Sequence, residues 1–96
     1  MEVLKERGNR YGEFVNNAKF THFVKEEMRR SPSWSKMYAD QREALDMIAH
    51  KMARIVNGDP DYHDSWVDIA GYATLVADRL KQQEQLGNAS LGQQAQ

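Results

Sequence analysis

The chain has 96 residues, 41% hydrophobic and 28% charged, with a formal net charge of -1 and no cysteine. That composition describes one small domain with little capacity to bury a core alone. It excludes disulfides, thiol catalysis and thiolate metal sites, and it gives no global attraction to nucleic acid or anionic membrane.

Residues 1–12 are polar and end in Arg7-Gly8-Asn9-Arg10-Tyr11-Gly12. Two glycines so close together predict an ordered turn rather than a continuous helix. The charged start has no apolar signal core, and no apolar run approaches the roughly 20 residues that span a bilayer. A cytoplasmic protein that avoids membranes is therefore expected.

The first helix is predicted over about residues 13–30. Phe14, Ala18, Thr21, Val24 and Met28 recur at helical spacing as its buried stripe, and Phe20 and Phe23 add a second apolar surface. Arg29 and Arg30 suit the negative end of the helix dipole, and Ser31-Pro32-Ser33 stops it. Trp34, Met37 and Tyr38 follow in a short linker that caps the core. Asp40-Gln41-Arg42-Glu43 reads as a capping box, with Asp40 at the N-cap and Glu43 reaching back.

A second helix is predicted over about residues 41–56, burying an arc of Leu45, Ile48, Ala49, Met52, Ile55 and Val56. Gly58 is expected to end it in the left-handed conformation. After the turn Asp59-Pro60-Asp61, a third helix runs over about residues 63–82 on a stripe of Trp66, Ile69, Ala73, Val76 and Leu80. Gly71, mid-helix, costs about 1 kcal/mol relative to Ala, which a close helix crossing or a ligand would explain. From residue 84 the Gln, Gly, Asn, Ser and Ala content predicts a disordered tail. The fold class is all-α: three main helices over residues 13–83 in a helical bundle. Apolar residues on more than one face predict that a second copy completes it.

The polar residues of the second and third helices hold the candidate chemistry. Glu43, Asp46, His50 and Arg54 share one helix face, opposite the apolar arc, with Lys51 at its edge. Asp64 and Asp68 lie one turn apart on the third helix, with Tyr72 a turn further on. Facing pairs of carboxylates would form an oxygen-only site of the kind Mg²⁺ prefers, and Lys51, Arg54, Arg7 and Arg10 could hold phosphates. Solvated helix faces and caps produce the same spacing. The three histidines lack any zinc-site spacing. Trp34 and Trp66 read as core or interface residues. Tyr11 reads either as a stacking surface for a base or as a lid on the bundle.

Glu43-Ala-Leu-Asp46-Met-Ile-Ala-His-Lys51-Met-Ala-Arg54-Ile-Val-Asn-Gly58-Asp-Pro, followed by Asp64-Ser-Trp-Val-Asp68-Ile-Ala-Gly71-Tyr72-Ala, resembles small phage and prophage proteins. These are similar to the MazG-like all-α nucleoside triphosphate pyrophosphatases and to phage nucleotide-modification-associated domains. Arg10-Tyr11-Gly12-Glu13-Phe14 is similar to the segment those proteins carry before their first helix. The resemblance implies an Mg²⁺-dependent nucleotide-binding domain that cuts a nucleoside triphosphate between its α and β phosphates. Glu43, Asp46 and Asp68 would be catalytic, and the same three with Asp64 would hold the metal. Lys51, Arg54 and Arg10 would lie near the phosphates, and Tyr11 near the base. One departure stands out: Ser65-Trp-Val-Asp68 has serine where that family places its first acid.

A second reading stays open beside this one. A small phage protein could act without catalysis, inhibiting a host protein complex in the host cytoplasm through a helical surface. Phe20, Phe23, Val67 and Leu75, off the main stripes, fit that reading as well as they fit a homodimer. Nucleic acid is the weakest partner, because positive charge is neither abundant nor segregated.

Overall fold

The computed structural model describes residues 9–94, with side chains through residue 87. Residues 9–11 make a helical turn. Then come α1 (Phe14–Arg30), a 3-10 turn (Trp34–Lys36), α2 (Ala39–Asn57) and α3 (His63–Gln94). The described residues contain no strand, as an all-α chain requires. Arg7 and Gly8 lie outside the described residues.

Local chemistry explains most of the boundaries. Ser31 ends α1: its N–H donates to the Met28 carbonyl, and its hydroxyl donates to the Glu27 carbonyl at 2.8 Å. The start of α2 departs from the expected capping box. Tyr38, not Asp40, is the N-cap residue, and the Gln41 side chain, not Glu43, reaches back to accept from the Tyr38 N–H at 2.8 Å. The Asp40 carboxylate is occupied elsewhere, accepting two bonds from the Arg79 guanidinium at 2.7 and 2.9 Å. α3 passes the expected end near residue 83 and continues to Gln94. Gln, Glu, Leu and Ala in that stretch are good helix formers, so low hydrophobicity there does not end the helix.

Helix α2 is the centre of the fold. It packs against α1 and against α3, while α1 and α3 scarcely meet. Both neighbours run antiparallel to it. Arg29–Asp46, Lys25–His50 and Asn17–Asn57 form rungs between α1 and α2. Lys51–Asp68 and Asp40–Arg79 do the same between α2 and α3, three turns apart on each helix. The result is an elongated layer of helices, 68 × 29 × 18 Å.

Small residues make that packing close. Among the described residues the buried ones are Ala44, Ala49 and Ala53 of α2, with Thr21 of α1 and Ser65 of α3, and no large side chain is fully buried. The expected buried stripes are therefore only partly covered. Leu45 and Met52 are more than a third exposed, Val56 is 62% exposed, Trp66 54% and Phe14 83%. Leu45, Met52 and Val56 repeat at seven and four residues, so they share one face of α2. A flat layer covers the two flanks of α2 and leaves this third face open.

The glycines before α1 and after α2 interlock. Gly12 has φ +82°, and a Cβ on it would lie 2.6 Å from the Asn57 carbonyl oxygen. A Cβ on Gly58 would lie 2.5 Å from the Arg10 carbonyl oxygen, which also accepts from the Asp59 N–H at 2.9 Å. Gly58 has φ -121°, so the expected left-handed cap is absent. It is small because the Arg10–Gly12 backbone crosses directly over it. At Gly71 a Cβ would meet nothing within 4 Å, so no helix crossing among the described residues accounts for it.

Candidate functional site

Residues predicted as one acidic site are distributed along both flanks of α2. Asp46 faces α1, where its Oδ2 accepts from Arg29 Nη2 at 3.3 Å. Its Oδ1 is buried and has no hydrogen-bond partner. Glu43, one turn earlier on the same polar face, is exposed. Asp68 faces the other flank and pairs with Lys51 Nζ at 3.1 Å. Asp46 and the Lys51 that holds Asp68 stand five residues apart, about 7.5 Å along the α2 axis at 1.5 Å per residue. Asp64 lies at the start of α3, where it accepts from the Tyr62 hydroxyl at 3.1 Å. Among the described residues, no group of three or more His, Asp or Glu is arranged to hold a metal ion.

Ser65 explains its own departure from the acidic pattern. It is buried at the base of α3, 3% exposed. A carboxylate there would be buried against α2 and would need a cation of its own. Asp68, three residues later, is placed toward solvent and finds Lys51.

The predicted phosphate and base contacts form a second cluster at the end of the layer. Arg54 lies over the Tyr11 ring at 4.8 Å, and Arg10 lies over the Tyr62 ring at 4.7 Å. The two tyrosines meet edge to face at 5.8 Å. Tyr11 and then Asp64 hydrogen-bond the Tyr62 phenol and hold its pKa above the usual tyrosine range. Tyr11 thus packs over the end of α2, between Arg54 and Tyr62. Lys51, engaged by Asp68, is on the α3 flank and not in this cluster.

Three polar residues of α1 were not apparent as part of the site. Asn17, Lys25 and Arg29 all reach α2, and Asn17 also donates to the Tyr11 carbonyl at 2.6 Å. A signal for them exists in the sequence: Asn17, Thr21, Lys25 and Arg29 repeat every four residues, which forms a row along one side of a helix. Lys25 Nζ meets His50 Nε2 at 2.8 Å. Burial, and then the charges of Lys25 and Arg54, push the His50 pKa below the usual histidine range. A neutral imidazole can accept the lysine proton donor.

The fold and polar face define a small all-helical domain, open on one apolar side, with a ladder of charged and amide groups on another side. The chain belongs to a family described as a domain of unknown function, DUF6378, whose model matches residues 2–80. No curated protein and no solved structure matches it. None of the described helices is long and apolar enough to cross a membrane.

Proposed function

We propose that this domain is a magnesium-dependent nucleotide binder that works as a homodimer. The observation that carries the reading is Asp46 Oδ1, a buried carboxylate oxygen without a partner. Such a group is costly unless water or a cation satisfies it. Mg²⁺ is commonly held through one or two carboxylates, several waters and the substrate phosphates. Asp46 and Glu43, one turn apart on α2, supply that donor set without a third acid. Bound Mg²⁺ would offset phosphate charge, and Arg54, two turns further along α2, would add a guanidinium toward the far end of the phosphate chain. Asp68 and Asp64 stand outside this pair in the single chain, and the dimer is where they would contribute.

The dimer itself is supported by the open face of α2. Leu45, Met52 and Val56, with Trp66 and Leu80 of α3 also exposed, leave the layer short of a buried core. A second copy laid on that face would complete the bundle.

Calorimetric titration with a panel of nucleoside triphosphates, with and without Mg²⁺, tests the binding reading. Binding that Mg²⁺ strengthens, with that gain lost in Asp46→Asn, is the expected result. Binding that Mg²⁺ leaves unchanged would reject it. Pyrophosphate release, assayed on the same proteins, decides whether binding leads to hydrolysis to a monophosphate.

One observation favours the second reading, a non-catalytic protein that binds a host complex. Val67 and Leu75 are 49% and 69% exposed and flank the open surface at Gly71. Absence of nucleotide binding across the panel supports that alternative.

A further inference from the structure

We propose that the cleft between α1 and α2 binds a small polyphosphate anion, of the triphosphate class carried by nucleotides, with Lys25 and Arg54 as its anchoring cations. The inference rests on the nucleotide reading above and deepens it by naming a phosphate subsite that needs no metal.

The cleft is open to solvent and has a volume of about 610 Å³, within the usual range for small-molecule sites. Lys19, Lys25, Arg54, His50, Thr21 and Phe14 line it, and no lining residue is Asp or Glu. Outside the cleft, four cations of the described residues have an acid beside them. Arg29 has Asp46, Arg30 has Glu27, Lys51 has Asp68 and Arg79 has Asp40. Lys25 is half-buried, and the neighbour its ammonium reaches is the ring nitrogen of His50. Arg54 is half-buried and lies on the face of Tyr11. Among the described residues no carboxylate forms an ion pair with Lys19, Lys25 or Arg54.

Half-burying two cations beside one another without an acid is unfavourable until an anion joins them. Burial first, and then the charges of Lys25 and Arg54, hold the His50 pKa below the usual histidine range. A phosphate chain matches the donors: the guanidinium can grip two oxygens at once, the ammonium acts as a point charge, and Lys19 stands at the rim for a further phosphate. Phe14, at the rim and 83% exposed, offers a flat apolar surface on which a base can stack.

The test is calorimetric titration of the full chain, in a chelator that removes divalent metals, with inorganic triphosphate, ATP and a single-stranded oligonucleotide. Triphosphate and ATP are expected to bind. Lys25→Gln and Arg54→Gln should each weaken both by about tenfold or more, as loss of a charge-assisted hydrogen bond implies. Lys81→Gln, an exposed cation on α3, should leave binding within about twofold, as expected of a screened surface charge. Phe14→Ala should weaken ATP and spare triphosphate. Lys25→Arg should keep binding, and together with Arg54→Gln it decides the matter if Lys25→Gln loses helix by circular dichroism. No binding without metal overturns the proposal. So does equal weakening by Lys81→Gln, or an oligonucleotide that binds more tightly than either phosphate. Failure of the Asp46 metal reading would leave metal-free triphosphate binding intact, so the two ideas fail separately.

Discussion

Two regions of this molecule use glycine in opposite settings. Where the Arg10–Gly12 segment crosses the end of α2, Gly12 and Gly58 sit against backbone atoms with no room for a Cβ. About two turns into α3, Gly71 faces open space. The first region is finished by the chain itself, through backbone hydrogen bonds, edge-to-face tyrosines and the Asn17–Asn57 amide pair. Among the described residues nothing covers the second, nor the apolar face of α2. One end of the layer is thus closed by the chain's own atoms, while the faces around Gly71 and Val56 offer surface.

The sharpest way to break the contrast is at the tight junction. Gly12→Ala should cost about 3 kcal/mol or more in urea unfolding, since positive φ alone costs about 1–2 kcal/mol for a residue with a Cβ and backbone overlap adds to it. Gly58→Ala, at ordinary φ but against the Arg10 carbonyl, should cost about 2 kcal/mol. A cost below about 0.5 kcal/mol for both, the ordinary range for surface changes, would mean the junction gives way easily.

The open side is tested by charge. Met52→Glu combined with Val56→Glu should halve the mass measured by light scattering at tens of micromolar while helix content stays, because a charge on the apolar face opposes burial. A wild-type protein that already scatters as a monomer would reject the dimer.

Gly71→Ala sharpens the same point with a smaller effect. Facing solvent, it should gain about 1 kcal/mol, the helix propensity difference between Ala and Gly. A loss instead would place a partner or ligand against Gly71.

The smallest expected effect is a pH dependence at His50. An unfolded histidine takes up a proton near pH 6.5, but the folded one resists because of burial and the charges of Lys25 and Arg54, with Lys51 adding to them and Asp46 opposing. Below 6.5 the unfolded state therefore binds more protons, so stability falls as pH drops through that range and is fully present above it. His50→Gln should flatten this slope in melting temperatures recorded from pH 7.5 to 5.5.

Much of the helical content was legible along the chain. Apolar periodicity and the Ser31-Pro32-Ser33 and Asp59-Pro60-Asp61 breaks located three helices, and the spacing of Glu43, Asp46, His50 and Arg54 identified the polar face of α2. These features depend on the turn of a single helix, which spacing encodes directly. Which neighbour each face meets was decided only in three dimensions. Asp46 met Arg29 and Asp68 met Lys51, at different heights on opposite flanks. Asp40 gave up its capping position for Arg79. Gly58 proved to be required by a segment more than forty residues earlier in the chain. Helical spacing specifies direction around one axis, while register and neighbour depend on contacts between residues far apart in sequence, and a single sequence does not record those.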